Sequence, residues 1–443
     1  MRIIKLNSGE QNETILNLFF FLAPFSVSST FNGIIPILDT SMVVFLITFI
    51  YIAIYFLNNR SVKINNFEAN TLLLFVIPIF LSLIGMLTAV ISENNSEYMQ
   101  YVTSKFPTRI ILVIINIGIL IGVLSKTSNW SYEELHNLIK KYYYGLVVFG
   151  IVGLWQFLHF LIDIPFINMD TRDYIHSVSS DTFFINNRLT SFADEPSYLA
   201  PLAIDLMILA FLVSKKPFRA FSLGLFVLIF SYSGGGYLNL LILILFFILG
   251  YLKYKGYKLS RRNSIFLVGL LTFGIGFIVY YHQEIYNLIY PVLGRMDTIF
   301  DIKKHGRMFM ITMPFLWVLE GNIINAIFGY GPNSYNYLNL TKRRPGGSKV
   351  HATSNNLFAD TVFELGYLGF MCYMWIFWRF VYKAFKNMYN NKYLFISMLL
   401  SIHLFTSSIY RADFMQPRFW VLMFIMLKLT DMGTNNQKIK FKM

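Results

Sequence analysis

The chain has 443 residues, of which 56% are hydrophobic and only 14% charged, with a formal net charge of +14 and a single cysteine. This composition excludes a soluble globular protein and describes a polytopic membrane protein. In such a chain a basic balance reads as membrane topology and not as nucleic-acid binding, and lone Cys372, inside an apolar run, excludes a disulfide framework or a cysteine metal site.

Apolar runs of roughly 17–22 residues, enough to cross about 30 Å of hydrocarbon, recur along the whole chain. Twelve are expected, near 14–31, 36–57, 71–91, 109–125, 144–164, 196–213, 219–233, 237–252, 264–281, 356–378, 393–409 and 414–430. The expected fold is therefore all-α, a polytopic transmembrane helical bundle forming one integral membrane domain over 1–443. The opening MRIIKLNSGEQNE lacks a small-residue cleavage site, so the first run is read as an anchor and not as a removable signal peptide. With the N-terminus inside, more than half of the Lys and Arg residues fall on the cytoplasmic side, including Lys215, Lys216 and Arg219, then Lys253, Lys255, Lys258, Arg261 and Arg262, and then Arg379, Lys383, Lys386 and Lys392. Both termini are accordingly placed in the cytoplasm. No repeat of 20–50 residues is evident.

Two outer connections are long enough to carry chemistry, 165–195 and 282–355. The first ends in RLTSFADEPSYLA, residues 188–200. Pro196 suits the first turn of a helix, and Asp194 and Glu195 would lie at its N-terminus, where carboxylates cap free N–H groups. A helix N-terminus also attracts anions, and the Arg188 guanidinium just ahead of it offers a fork that matches phosphate oxygens. Arg188 reads equally as an interfacial arginine that meets lipid headgroups or pairs with Asp194 or Glu195.

The second connection places Gly306 and Arg307 before an apolar run of about twelve residues, too short to span and read as an interfacial or re-entrant helix. IFGYGPNSYNYL, 327–338, marks turns, and its tyrosines, among them Tyr330 and Tyr335, are suited either to stacking on sugar rings or to the membrane interface. Lys342, Arg343, Arg344 and Lys349 then precede His351. Eight basic residues on an outer loop run against the positive-inside trend: Arg295, Lys303, Lys304, Arg307, Lys342, Arg343, Arg344 and Lys349. A large outer anion such as pyrophosphate would account for them, and His351 is suited to proton transfer near neutral pH or to a plain surface hydrogen bond. No Asp-x-Asp metal motif occurs, and Asp39 is the only acid of the first outer loop, so no metal or cofactor is expected.

In their order and placement RLTSFADEPSYLA, HGRMFM, FGYGPNSY and NNLFADTVFELGYLGF resemble the O-antigen and capsule polysaccharide polymerases of bacterial envelopes, the Wzy type, and the related O-antigen ligases. The ligase-like pattern of histidine, a small amide or hydroxyl residue, nine residues and Gly-x-x-Gly is met by Asn356 and Gly366–Gly369, but Asn355 stands where the histidine is expected and His351 lies four residues earlier. SYSGGG, 231–236, lacks the arginine that many relatives carry after serine.

The resemblance implies a glycosyltransferase architecture of the GT-C kind in the bacterial cytoplasmic (inner) membrane. It implies metal-independent transfer of a glycan from undecaprenyl pyrophosphate to the non-reducing end of another lipid-linked repeat unit. Arg188, Arg307, Arg343 and Arg344 are then expected on the pyrophosphate, because oriented cations stabilise developing phosphate charge. His351 or Glu195 is expected as the acceptor's base, and Tyr330, Tyr335, Asn355 and Asn356 on the sugars. Expected partners are the undecaprenyl-pyrophosphate-linked oligosaccharide, membrane lipid, and a chain-length regulator and flippase of the same pathway, with no nucleic acid. A ligase acting on a lipid A core is the nearer alternative. A glycolipid flippase is the other, for which polar groups at mid-membrane depth, Asp205, Asp360 and Glu364, would be the signal.

Overall fold

A computed structural model describes residues 8–27, 40–58, 62–93, 96–166, 188–256, 306–343, 347, 349–350 and 354–440. Among them the chain is almost entirely helical, and an isolated bridge between Arg343 and Lys349 replaces any strand. The helices are α1 (Ser8–Leu22), α2 (Thr40–Asn58), α3 (Asn66–Glu93), α4 (Ser96–Ser104), α5 (Phe106–Lys126), α6 (Tyr132–Ile162), α7 (Pro196–Val213), α8 (Pro217–Phe230) and α9 (Gly234–Tyr254). After 257–305 come α10 (Gly306–Trp317), α11 (Ile323–Phe328), α12 (Tyr335–Thr341), α13 (Leu357–Asn387), α14 (Lys392–Tyr410) and α15 (Pro417–Lys440). Among the described residues, seven helical stretches are long and apolar enough to cross a membrane, and three shorter apolar helices accompany them. The protein is a polytopic helical bundle. The expected span at 264–281, the middle of the first long connection and the start of the second lie outside the described residues.

Local sequence sets the helix ends. Pro107, Pro196 and Pro217 occupy the first or second helical position, where the missing N–H costs nothing. Ser131 and Glu134 form a capping box for α6, satisfying two orphan donors reciprocally.

The centre of the bundle is α7, α14 and the first half of α15: the apolar windows of α7 and α14 are 83% and 78% buried and residues 417–430 of α15 are all buried, whereas the window of α9 is 22% buried and faces outward. Small residues bring the helices together, as the absence of a hydrophobic drive between helices in lipid requires. At Gly224 of α8 a Cβ would stand 2.8 Å from the Ala203 carbonyl oxygen of α7. A second apolar cluster, separate from the main one, gathers Tyr98 and Tyr101 of α4, Trp317, Tyr330, Tyr335, Tyr337, Leu338 and Phe363. It fastens the described part of the second long connection onto one face of the bundle.

Candidate functional site

The connection leading to α7 is pinned by its backbone. The buried side chain of Gln156 accepts from the amides of Thr190 and Ser191 at 2.9 and 2.8 Å and donates to the Thr190 hydroxyl. Leu189 donates to the Phe230 carbonyl and the Ser191 hydroxyl to that of Phe149. The segment thereby delivers Arg188, 8% exposed, to the C-terminal end of α8. There the guanidinium donates through Nε to the Ser231 carbonyl at 3.2 Å and through Nη2 to the Tyr232 carbonyl at 3.0 Å. Carbonyls at a helix C-terminus lack intrahelical partners and carry the negative end of the dipole, so the cation is held where its charge is offset.

Glu195 is the N-cap residue of α7, with extended backbone, and its carboxylate accepts from the Ser197 hydroxyl at 3.1 Å. The N-terminus of α9 lies alongside. Ser233 caps it by accepting from the Gly236 amide, a Cβ on Gly236 would stand 2.6 Å from that of Ala200 in α7, and Gly235 packs on the Tyr410 ring. Two transmembrane helices thus begin next to each other, beside Arg188. Sequence reasoning missed the next contributor, Arg411, whose guanidinium lies 3.1 Å from the centre of the Tyr198 ring in the first turn of α7.

Arg411 opens a buried chain of charge. It holds Asp413 at 2.7 Å, Asp413 meets Arg418 at 3.2 Å, and Arg418 meets Asp205 at 2.8 Å. Tyr142 donates to Asp205 at 2.8 Å, and His403 Nε2 lies 2.9 Å from Asp205 and 3.0 Å from Arg418. Asn239 and Tyr410 complete the surround. Two carboxylates balance two guanidinium groups, which is the arrangement that lets charge persist in an apolar interior. The signal in the sequence was RADFMQPR at 411–418, two arginines and an acid squeezed between apolar runs.

The second long connection and α13 are built as one unit. Gly366 interrupts α13 with φ +70° and ψ −178°, leaving carbonyls before it without helical partners. The amides of Tyr330 and Gly331 fill the gap, donating to the Phe363 and Glu364 carbonyls at 3.0 and 2.9 Å. Gly329 and Gly331, at φ +79° and +98°, allow that turn. Asn325 donates to the carbonyls of Gly85 and Gly329, and Tyr98 and Tyr101 donate to those of Tyr330 and Pro332.

Tyr330 and Tyr335 are therefore buried in the second core. Tyr330 stacks on Phe363 with centroids 4.7 Å apart, and Tyr335 points its hydroxyl at the Met310 carbonyl, burial pushing its phenol well up. Asn356 caps α13 by accepting from the Ala359 amide at 2.9 Å, and Asn355 beside it has φ +56°. Behind that cap, Asp360 accepts from the amide and hydroxyl of Ser354, and Glu364 pairs with Arg109 of α5 at 3.2 Å. Arg109, Asp360, Glu364, Tyr373, Ala412 and Phe414 line a cavity of about 20 Å³. The 410–415 turn thus links this acidic cavity to the paired helix mouths.

Arg343 lies apart on the surface, donating to the Leu340 and Lys342 carbonyls, while Lys342 pairs with Glu320. Gly306 and Arg307 begin α10; the Arg307 side chain, Arg344 and His351 lie outside the described residues. The structure brings Arg188 onto the 231–236 turn, beside the α7 N-terminus at which Glu195 is the N-cap residue, and separately brings together Asn356, Asp360 and Glu364.

Residues 220–374, from α8 to beyond the Gly366 break, match the family model described as O-antigen ligase. No curated protein matches the chain. The matched stretch contains the 231–236 turn, the second long connection and the break in α13 that the connection closes. The match supports the chain's membership of the O-antigen ligase/polymerase superfamily.

Proposed function

We propose that the protein polymerises lipid-linked oligosaccharide repeat units of O-antigen, capsule or exopolysaccharide at the outer face of the bacterial cytoplasmic membrane, with both termini cytoplasmic. The glycan passes from undecaprenyl pyrophosphate to the non-reducing end of a second lipid-linked unit, without a metal ion. The observation that carries this reading is the meeting of the α7 and α9 N-termini beside Arg188 and Arg411 on one membrane face. Helix N-termini and fixed guanidinium groups both favour anions, and their preorganisation stabilises charge developing on a leaving pyrophosphate.

In this reading Arg188 and Arg307 serve the pyrophosphate, with Arg343 or Arg344 in support; Arg343, on the surface and bonded to the Leu340 and Lys342 carbonyls, would have to leave those partners to reach it. His351 or Glu195 takes the acceptor hydroxyl's proton as the new C–O bond forms and the bond to the pyrophosphate oxygen breaks. Asn355 and Asn356 border the sugar-binding side, together with Tyr330 and Tyr335, whose buried rings would act by shaping the loop. The oligosaccharide lipid, a chain-length regulator and a flippase are the proposed partners.

Glycan laddering in a deletion strain tests the proposal. A polymerase deletion leaves single repeat units, and wild type restores the ladder while Arg188→Ala, Arg307→Ala and His351→Ala do not, each with membrane expression verified. Loss of all attached glycan on deletion marks a ligase. Normal laddering by all three variants overturns the assigned site. If Asp205→Ala, shown to be folded and inserted at the wild-type level, abolishes function while Arg188→Ala does not, the transporter reading replaces the polymerase and ligase readings.

A further inference from the structure

We infer that the membrane face opposite the paired helix mouths carries a binding site for the phosphate headgroup of an anionic glycerophospholipid, built at the far end of α13. This inference does not depend on the glycan chemistry. Beyond the Gly366 break α13 runs on to Asn387. At about 1.5 Å per residue, Arg379 lies about 20 Å and Lys386 about 30 Å from the break. That places the group where a hydrocarbon layer of about 30 Å gives way to headgroups.

Arg379, Tyr382, Lys383 and Lys386 follow i, i+3, i+4, i+7 spacing and so share one face of the helix. With Phe67 and Asn387 they line a cleft of about 380 Å³ that, among the described residues, contains three cations and no carboxylate. The Arg379 guanidinium lies 4.8 Å, and the Lys383 ammonium 3.8 Å, from the centre of the Phe67 ring. The ring holds both cations on one side of the cleft and fixes their direction. Glu68, next to Phe67, is directed away: it is buried, pairs with Lys428 at 3.0 Å and accepts from the Asn65 amide.

The neighbouring surface identifies the occupant as a lipid. Trp375, Trp378 and Tyr382 are 53%, 56% and 57% exposed, and Trp378 stacks on Tyr382. Amphipathic rings in this setting mark the membrane–water boundary. A cationic cleft opening beside such a belt meets a diester phosphate while the acyl chains lie along the exposed aromatic and apolar surface. Juxtamembrane cations attract anionic lipids with a free energy that changes binding about fivefold per charge.

The test uses full-length protein in neutral detergent, titrated with phosphatidylglycerol or phosphatidylcholine and read by native mass spectrometry. Wild type is expected to retain one phosphatidylglycerol in preference to phosphatidylcholine. Arg379→Gln/Lys383→Gln is expected to weaken that retention roughly thirtyfold, leaving phosphatidylcholine unaffected. If the double variant is not monodisperse, Lys386→Gln, on an exposed residue, is read instead, with a loss of about fivefold. Glycerol phosphate and inorganic phosphate, lacking acyl chains, are expected not to displace the lipid. Equal retention of both lipids, undiminished phosphatidylglycerol binding by the variants, or displacement by the small phosphates overturns the inference.

Discussion

The buried charge chain makes a quantitative prediction about how the bundle holds together. Asp205 lies nine residues into α7, about 14 Å from its start, and both it and Arg418 have no exposed surface. Replacing Arg418 with methionine leaves Asp205 with His403 and Tyr142 and leaves Asp413 with Arg411, so two buried carboxylates face one guanidinium. Removing one member of a buried pair costs about 3–5 kcal/mol, chiefly through the stranded charge. Asp205→Asn reverses the imbalance and is expected to cost a similar amount. The double variant restores neutrality, with Arg411 and Asp413 still paired, so it is expected to cost at least about 2 kcal/mol less than the sum of the two single costs. Reversible unfolding of the purified protein in mixed detergent and SDS micelles measures all three. Single costs below about 1 kcal/mol, typical of an exposed pair, or strict additivity would refute the argument that charge balance stabilises this core.

Gly366→Ala is expected to destabilise by several kcal/mol, because a Cβ there enters the space of the Ile327 carbonyl and stands 2.6 Å from the Gly329 nitrogen, on a backbone that only glycine adopts readily; a thermal melt unchanged from wild type would contradict this. Gln156→Leu strands the amides of Thr190 and Ser191 at about 1–3 kcal/mol each, and should release the 188–195 segment to limited proteolysis while the protein still inserts in the membrane. Arg188→Lys is expected to fall well short of restoring the glycan ladder, since one ammonium cannot reproduce a fork on the carbonyls of Ser231 and Tyr232; full restoration by lysine would show that charge alone suffices. Asn356→Ala should lower the melting midpoint by the equivalent of about 1 kcal/mol and Asn356→Ser by much less.

The class of the fold was legible because crossing a membrane demands long apolar runs, and a run announces itself without any partner. Partnership between runs was not legible. A helix as uniformly apolar as α7 presents no stripe that says which side faces its neighbours, so the meeting of Asp205 with Arg418, which are 213 positions apart, left no periodic trace. What the sequence did carry was a violation: charge inside or beside an apolar run requires a compensating charge somewhere. Asp205 was noticed on that ground, whereas Arg418 and His403, its compensation, were hidden within runs read as ordinary spans. The same logic separates the two tyrosine-bearing motifs. FGYG reads as a turn because glycines permit one, and its tyrosines read as sugar platforms because aromatic rings serve that purpose in open clefts. The ring of Tyr330 instead lies flat on Phe363, since the break at Gly366 frees two carbonyls that an apolar setting cannot leave unpaired, and the amides that satisfy them draw the turn inward. A glycine in one motif thus dictates the burial of a tyrosine in another, and the glycines that shape the site face act together: relaxing Gly366 would release the FGYG turn, and with it the carbonyl partners of Tyr98 and Tyr101.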